Sequence, residues 1–184
     1  MPSNFAAKLA RLFLLVLLAA PAARAQDTPE AANDRYVAAL RALDYDALAA
    51  LTHPSAHARM ARYARFIASA DSLAPVATML FGAAPDEVRA LPDAALFART
   101  MRGVTQVQGL EAIYPHMTVE SLGHVMAGDT AHVVGRMTVT LEGLTQRRMQ
   151  VASFLRTDAG WQALLSGDLE GILAALEARL GAGR

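Results

Sequence analysis

The sequence predicts an α+β fold: a curved antiparallel β-meander towards the C-terminal end, covered on one face by N-terminal helices, with an extra helical insert and a C-terminal helix. Three observations carry this. From Thr130 to Leu141, Ala131, Val133, Gly135, Met137, Val139 and Leu141 alternate with Thr130, His132, Val134, Arg136, Thr138 and Thr140, the period of two expected of a sheet with unlike faces. Gly128-Asp129, Glu142-Gly143 and Asp158-Ala159-Gly160 are hairpin signals that divide residues 118–165 into four strands. Before Gly103, by contrast, apolar residues recur at helical spacing.

The first 25 residues read as a secretory signal peptide. Lys8 and Arg11 precede an apolar run over 12–20, and Ala23-Arg24-Ala25 supplies the small-x-small pattern before a cut ahead of Gln26. The run is shorter than the roughly 20 apolar residues a membrane span needs, so no anchor is expected after cleavage. The chain has no cysteine, which excludes a disulfide. An exported protein, periplasmic or secreted, is expected. Cleavage removes Lys8, Arg11 and Arg24 but no acid, so 17 basic and 17 acidic residues become 14 and 17. This mildly acidic balance argues against a nucleic-acid partner. Residues 26–184 have the length and apolar content of one domain with its own core.

Along that domain, Tyr36, Val37, Leu40 and Leu43 place a helix over 30–43, and Asp44 caps a second one through Leu51 that Pro54 stops. Met60, Tyr63 and Ile67 form the stripe of a helix over 55–70, with Arg59, Arg62 and Arg65 along a solvated side. Helical pieces follow over 72–81 and 92–103, separated by a loop with a short turn at Asp86-Glu87, and Pro92 suits a first helical position. Residues 103–115 read as loop with a short turn over 110–114.

In the sheet, a two-residue loop at Gly128-Asp129 puts His124 and His132 on opposite faces. For the second hairpin, a three-residue loop over 142–144 sets Met137 against Met149, Gly135 against Val151 and Ala131 against Leu155, so that apolar meets apolar. A two-residue loop would set Met137 against Arg148. Gly123 and Gly135 within strands suggest bulges or bends, hence a concave side. The last loop is read as three residues, 158–160. Beyond it, Ser166-Gly167-Asp168 caps a helix through Leu180 whose Leu169, Ile172, Leu173, Leu176 and Leu180 form one stripe.

Two stretches resemble the nuclear transport factor 2-like superfamily, the cone-shaped α+β fold that includes ketosteroid isomerases and small polyketide cyclases. They are Arg35-Tyr36-Val37-Ala38-Ala39-Leu40 with residues 44–51, and residues 154–161 ending in Gly160-Trp161. The resemblance implies a cone-like fold with a pocket between sheet and helices. It places Tyr36 where the isomerases carry the tyrosine that steadies a developing enolate oxygen. Their carboxylate base follows the second helix in an Asp-Pro context, whereas this chain has no acid between Asp46 and Asp71. The helical insert through Gly103 is a second departure, and Tyr36 is therefore read as a half-buried packing residue.

The candidate chemistry is sparse. His53 and His57 have the spacing of a metal pair, but Pro54 intervenes and no third ligand follows, so they are read as surface histidines at a helix end and neither metal nor cofactor is expected. With the three-residue second loop, His132, Arg136, Thr138, Arg148, Gln150 and Phe154 share one face, which, if concave, suits a small organic anion. No nucleophile elbow, phosphate loop or dinucleotide fingerprint is present in the sequence. The expectation is a non-catalytic module binding a small organic or anionic ligand, with Tyr36, His132, Arg136, Arg148, Gln150 and Phe154 as site residues. One alternative is an isomerase- or cyclase-like enzyme pairing Tyr36 with His132. A homodimer built through the sheet or the C-terminal helix is another.

Overall fold

A computed structural model describes residues 28–167, 169–171 and 173. The expected signal peptide and the end of the C-terminal helix, with Ile172, Leu176 and Leu180, lie outside the described residues. The architecture is α+β: a four-stranded antiparallel sheet in the order β1-β2-β3-β4, with helices packed on one face. The strands are β1 Met117–Ala127, β2 Thr130–Leu141, β3 Leu144–Thr157 and β4 Gly160–Ala163. Among the described residues no helix is long and apolar enough to cross a membrane.

The helices are α1 Pro29–Arg41, α2 Tyr45–Ala50, α3 Pro54–Ser69, α4 Ala74–Phe81, α5 Pro85–Ala90 and α6 Asp93–Val107. Their starts follow local chemistry. The Thr28 hydroxyl accepts the Ala31 amide and the Asp44 carboxylate accepts that of Ala47 at 2.9 Å, each satisfying an amide the first turn leaves free. Pro54 begins α3 rather than merely ending α2, because the amide a proline lacks has no partner at a first helical position. Residues 85–90, expected as a loop with a turn, form a full helix, and α6 runs four residues past Gly103.

Gly103 permits a close helix approach. A Cβ there would lie 1.8 Å from the Leu80 carbonyl oxygen, so α6 and α4 touch backbone to backbone. The insert has its own core, in which Ala61, Ala64, Ala68 and Ala77 let α3 and α4 pack closely around Phe81, Val88 and Leu96. Of the expected solvated row on α3, Arg62 is exposed, whereas Arg59 and Arg65 are half-buried and tied to other elements. Arg59 pairs with Glu170 at 2.7 Å, and Arg65 pairs with Asp93 at 2.7 Å while donating to the Leu91 carbonyl.

A second cluster joins α2, α3 and α6 to the residues after the sheet, with Tyr45, Leu48, Met60, Phe97, Leu165 and Leu173 buried together. His57 belongs to this core and not to the surface. Its Nε2 lies 3.0 Å from the Ala49 carbonyl, to which it must donate, and its ring packs 5.0 Å from Phe97. Burial holds its pKa below the ordinary histidine value. His53 instead caps α3, accepting the Ser55 amide.

Over the sheet lies α1, with Ala32 and Tyr36 against Ala131, Val133, Phe154, Trp161 and Ala163. Polar ties hold it there. Asn33 donates to the Ser121 hydroxyl at 3.0 Å, and Glu30 meets His124 at 2.6 Å, which holds the Glu30 carboxyl below its usual range. The α2–α3 link adds to β4, as Ala163 donates to Leu51 and His53 donates to Ala163.

The register corrects the expected second hairpin. Leu141 pairs with Leu144 across a two-residue loop, so Met137 faces Arg148, Gly135 faces Gln150 and Ala131 faces Phe154. Glu142 and Gly143 have φ of 51° and 81°, the signs of a type I′ turn, whose twist matches that of the strands it joins. A bulge does fall between Ser121 and Gly123, but Gly135 sits in a regular ladder where a Cβ would come within 2.9 Å of Val119. The last hairpin closes at Thr157–Gly160, one residue tighter than expected.

Candidate functional site

Side chains alternate along a strand, so Arg148, Gln150, Ala152 and Phe154 all project from β3 towards the helices, each roughly 6–7 Å beyond the last. This row lines one side of a cavity of about 210 Å³ between the sheet and the helices. From α1 come Asn33, Tyr36, Val37 and Leu40. Met101, Tyr114, Met117 and Met137 add further wall, and Leu164, Ser166 and Leu169 follow the sheet. Along the row, character changes from cationic to amide to apolar. Phe154 is fully buried, whereas Arg148 is exposed.

Arg148, Gln150, Val151, Ser153 and Ser166 also line a neighbouring groove of about 480 Å³ beside the part of β3 that β4 does not reach. The cavity therefore borders open solvent near Arg148 and is closed near Phe154. Among the described residues, Arg148 has neither an ion-pair nor a hydrogen-bond partner.

Tyr36 packs edge-on against Phe154, with ring centroids 6.3 Å apart at 88°. Its hydroxyl makes no hydrogen bond to another described residue. Burial, helped by the nearby Tyr114, pushes its pKa up to about 12, so at neutral pH it is a proton-bearing donor. The Tyr114 hydroxyl is pushed up as well, by burial first and by Tyr45 second, with Arg148 opposing the rise. Among the described residues, no Asp, Glu or His lines the cavity.

Of the six residues expected to form a site, Tyr36, Arg148, Gln150 and Phe154 line this cavity, and His132 and Arg136 do not. Those two point to the uncovered face, where His132 Nδ1 lies 2.9 Å from the Ser153 hydroxyl and Arg136 pairs with Glu120 at 3.0 Å. The cause is the one-residue difference in the Glu142-Gly143 loop, which turns every β3 side chain over relative to β2. The expected polar face is thus divided between two sides of the sheet, and Tyr36 and His132 cannot act on one molecule.

Tyr114 and Met101 belong to the site but were not singled out as members. Met101 comes from α6, and Tyr114 from a short 3₁₀ turn in a stretch without periodicity. Among the described residues no three His, Cys, Asp or Glu side chains gather as metal ligands would. The chain matches no family model, no curated protein and no solved structure.

Proposed function

We propose that this chain is an exported, non-catalytic module of the nuclear transport factor 2-like type that binds a small molecule between its sheet and its first helix. One observation carries the reading. The cavity presents a tyrosine donor in a mainly apolar wall, and among the described lining residues there is no carboxylate or imidazole to take up a proton. Such a site orients a ligand through a few polar groups and holds it by apolar contact. An isomerase mechanism would need a base, and none stands among the described lining residues.

Native mass spectrometry of the purified chain tests this. The expected result is a small adduct that survives desolvation and disappears in Ala152→Phe, where the new ring fills the cavity. An unliganded wild type that also takes up none of a panel of small apolar acids and alcohols would count against it. Val125, Met149 and Val151 are each more than half exposed on the uncovered face, which favours a compatible second reading as a homodimer. Sedimentation equilibrium showing only monomer at the highest attainable concentration would remove that reading.

A further inference from the structure

We infer that the ligand is an amphipathic organic anion, a monocarboxylate carrying one ring or a short acyl chain, with its carboxylate at Arg148 and its apolar end against Phe154. The inference rests on the pocket reading above and adds the class of molecule. It follows from the order of residues along β3. The inner row runs Arg148, Gln150, Ala152, Phe154, from the solvent-facing end of the cavity to its closed end.

A ligand with one charged end and one apolar end matches that row in one orientation only. A guanidinium offers a planar fork of donors suited to the two oxygens of a carboxylate. The Arg148 guanidinium is not committed to an acid among the described residues, and none of the described lining residues is a carboxylate that would repel an anion. Tyr36 and Gln150 provide further donors, while the single arginine is modest provision for a phosphate dianion. Volume limits the body of the ligand. A dry cavity of about 150 Å³ is enough for benzene, so about 210 Å³ accepts one ring or a short chain and excludes a fused polycycle. Arg147 is the internal control, because it neighbours Arg148 but pairs with Thr138 on the opposite face.

Isothermal titration calorimetry with hexanoate, octanoate and octanol tests the assignment on wild type, Arg148→Gln and Arg147→Gln. Octanoate should bind wild type more tightly than octanol does, and more tightly than hexanoate by roughly fourfold per methylene. Arg148→Gln should weaken octanoate at least tenfold and leave octanol unchanged, while Arg147→Gln should change neither. Equal affinity for octanol and octanoate, unaltered by Arg148→Gln, would overturn the anionic class and leave the pocket standing. Equal weakening by Arg147→Gln would also overturn it, because the attraction would then be diffuse. Failure of all three probes to bind would take away the pocket reading itself, and this inference with it.

Discussion

Tyr36 and Tyr63 are both phenols packed among helices, yet their hydroxyls are in opposite situations. Tyr63 donates to the Leu173 carbonyl at 2.8 Å in a buried setting. The Tyr36 hydroxyl has no partner among the described residues, and Tyr36 lines the cavity. Tyr63→Phe therefore removes an internal hydrogen bond, a loss of about 0.5–1.5 kcal/mol, rising towards ~2 kcal/mol if the carbonyl is left without a substitute. Tyr36→Phe removes no protein–protein bond and keeps the ring contact with Phe154, so its cost should stay within about 0.5 kcal/mol of zero. Urea unfolding of both variants at constant m measures the difference. If Tyr36→Phe destabilises as much as Tyr63→Phe, the hydroxyl has a structural duty, and its reservation for a ligand is refuted. Tyr36→Phe should nonetheless weaken the binding of a ligand with an acceptor near α1.

Other perturbations test separate parts of the account. Gly103→Ala gains about 1 kcal/mol of helix propensity but drives a methyl into the Leu80 carbonyl at 1.8 Å, so a net loss of about 2 kcal/mol or more is expected in urea unfolding, and neutrality would deny the close approach of α4 and α6. Glu142→Asn should stabilise the fold by about 0.5–1 kcal/mol, because asparagine tolerates the left-handed φ of 51° that glutamate does not; a loss would argue against the type I′ turn. His57 has a folded pKa below its unfolded value, so the unfolded chain takes up the proton first as pH falls. Stability should therefore decline from about pH 6.5 downwards until His57 protonates in the folded state. His57→Gln should flatten that decline, and an unchanged profile would place the histidine outside the core. His124→Ala should let the Glu30 carboxyl pKa rise towards its ordinary range, as read by carbon-detected NMR titration; no movement would deny the contact between α1 and β1.

The strand pattern from Thr130 to Leu141 and the caps at Asp44 and Ser166 were legible because each is a local signal that tertiary packing reinforces. The second hairpin was misread because two local criteria disagreed. Pairing Met137 with Met149 favours a longer loop, whereas a residue followed by glycine favours the two-residue type I′ turn, and backbone twist decided. Met149 and Val151 consequently stand on the uncovered face while Phe154 enters the core. A slip of one residue was enough to separate His132 and Arg136 from Arg148 and Gln150. The burial of His57 was hidden for another reason. Its partners, Ala49 and Phe97, come from α2 and α6, and no spacing within α3 announces them. The pairing of Arg59 with Glu170 likewise depends on a contact across more than a hundred residues.

Methionine side chains report on the cavity most directly, because Met101, Met117 and Met137 line it, Met149 lines the neighbouring groove from the uncovered face, and Met79 stands exposed on α4. With methyl-labelled methionine, titration of octanoate should shift the signals of Met101, Met117 and Met137 and give contacts between their methyls and the acyl chain, with no such contact from Met149 and no change at Met79. Shifts confined to Met149, or none at all at saturating octanoate, would contradict a ligand site between α1 and the inner face of the sheet.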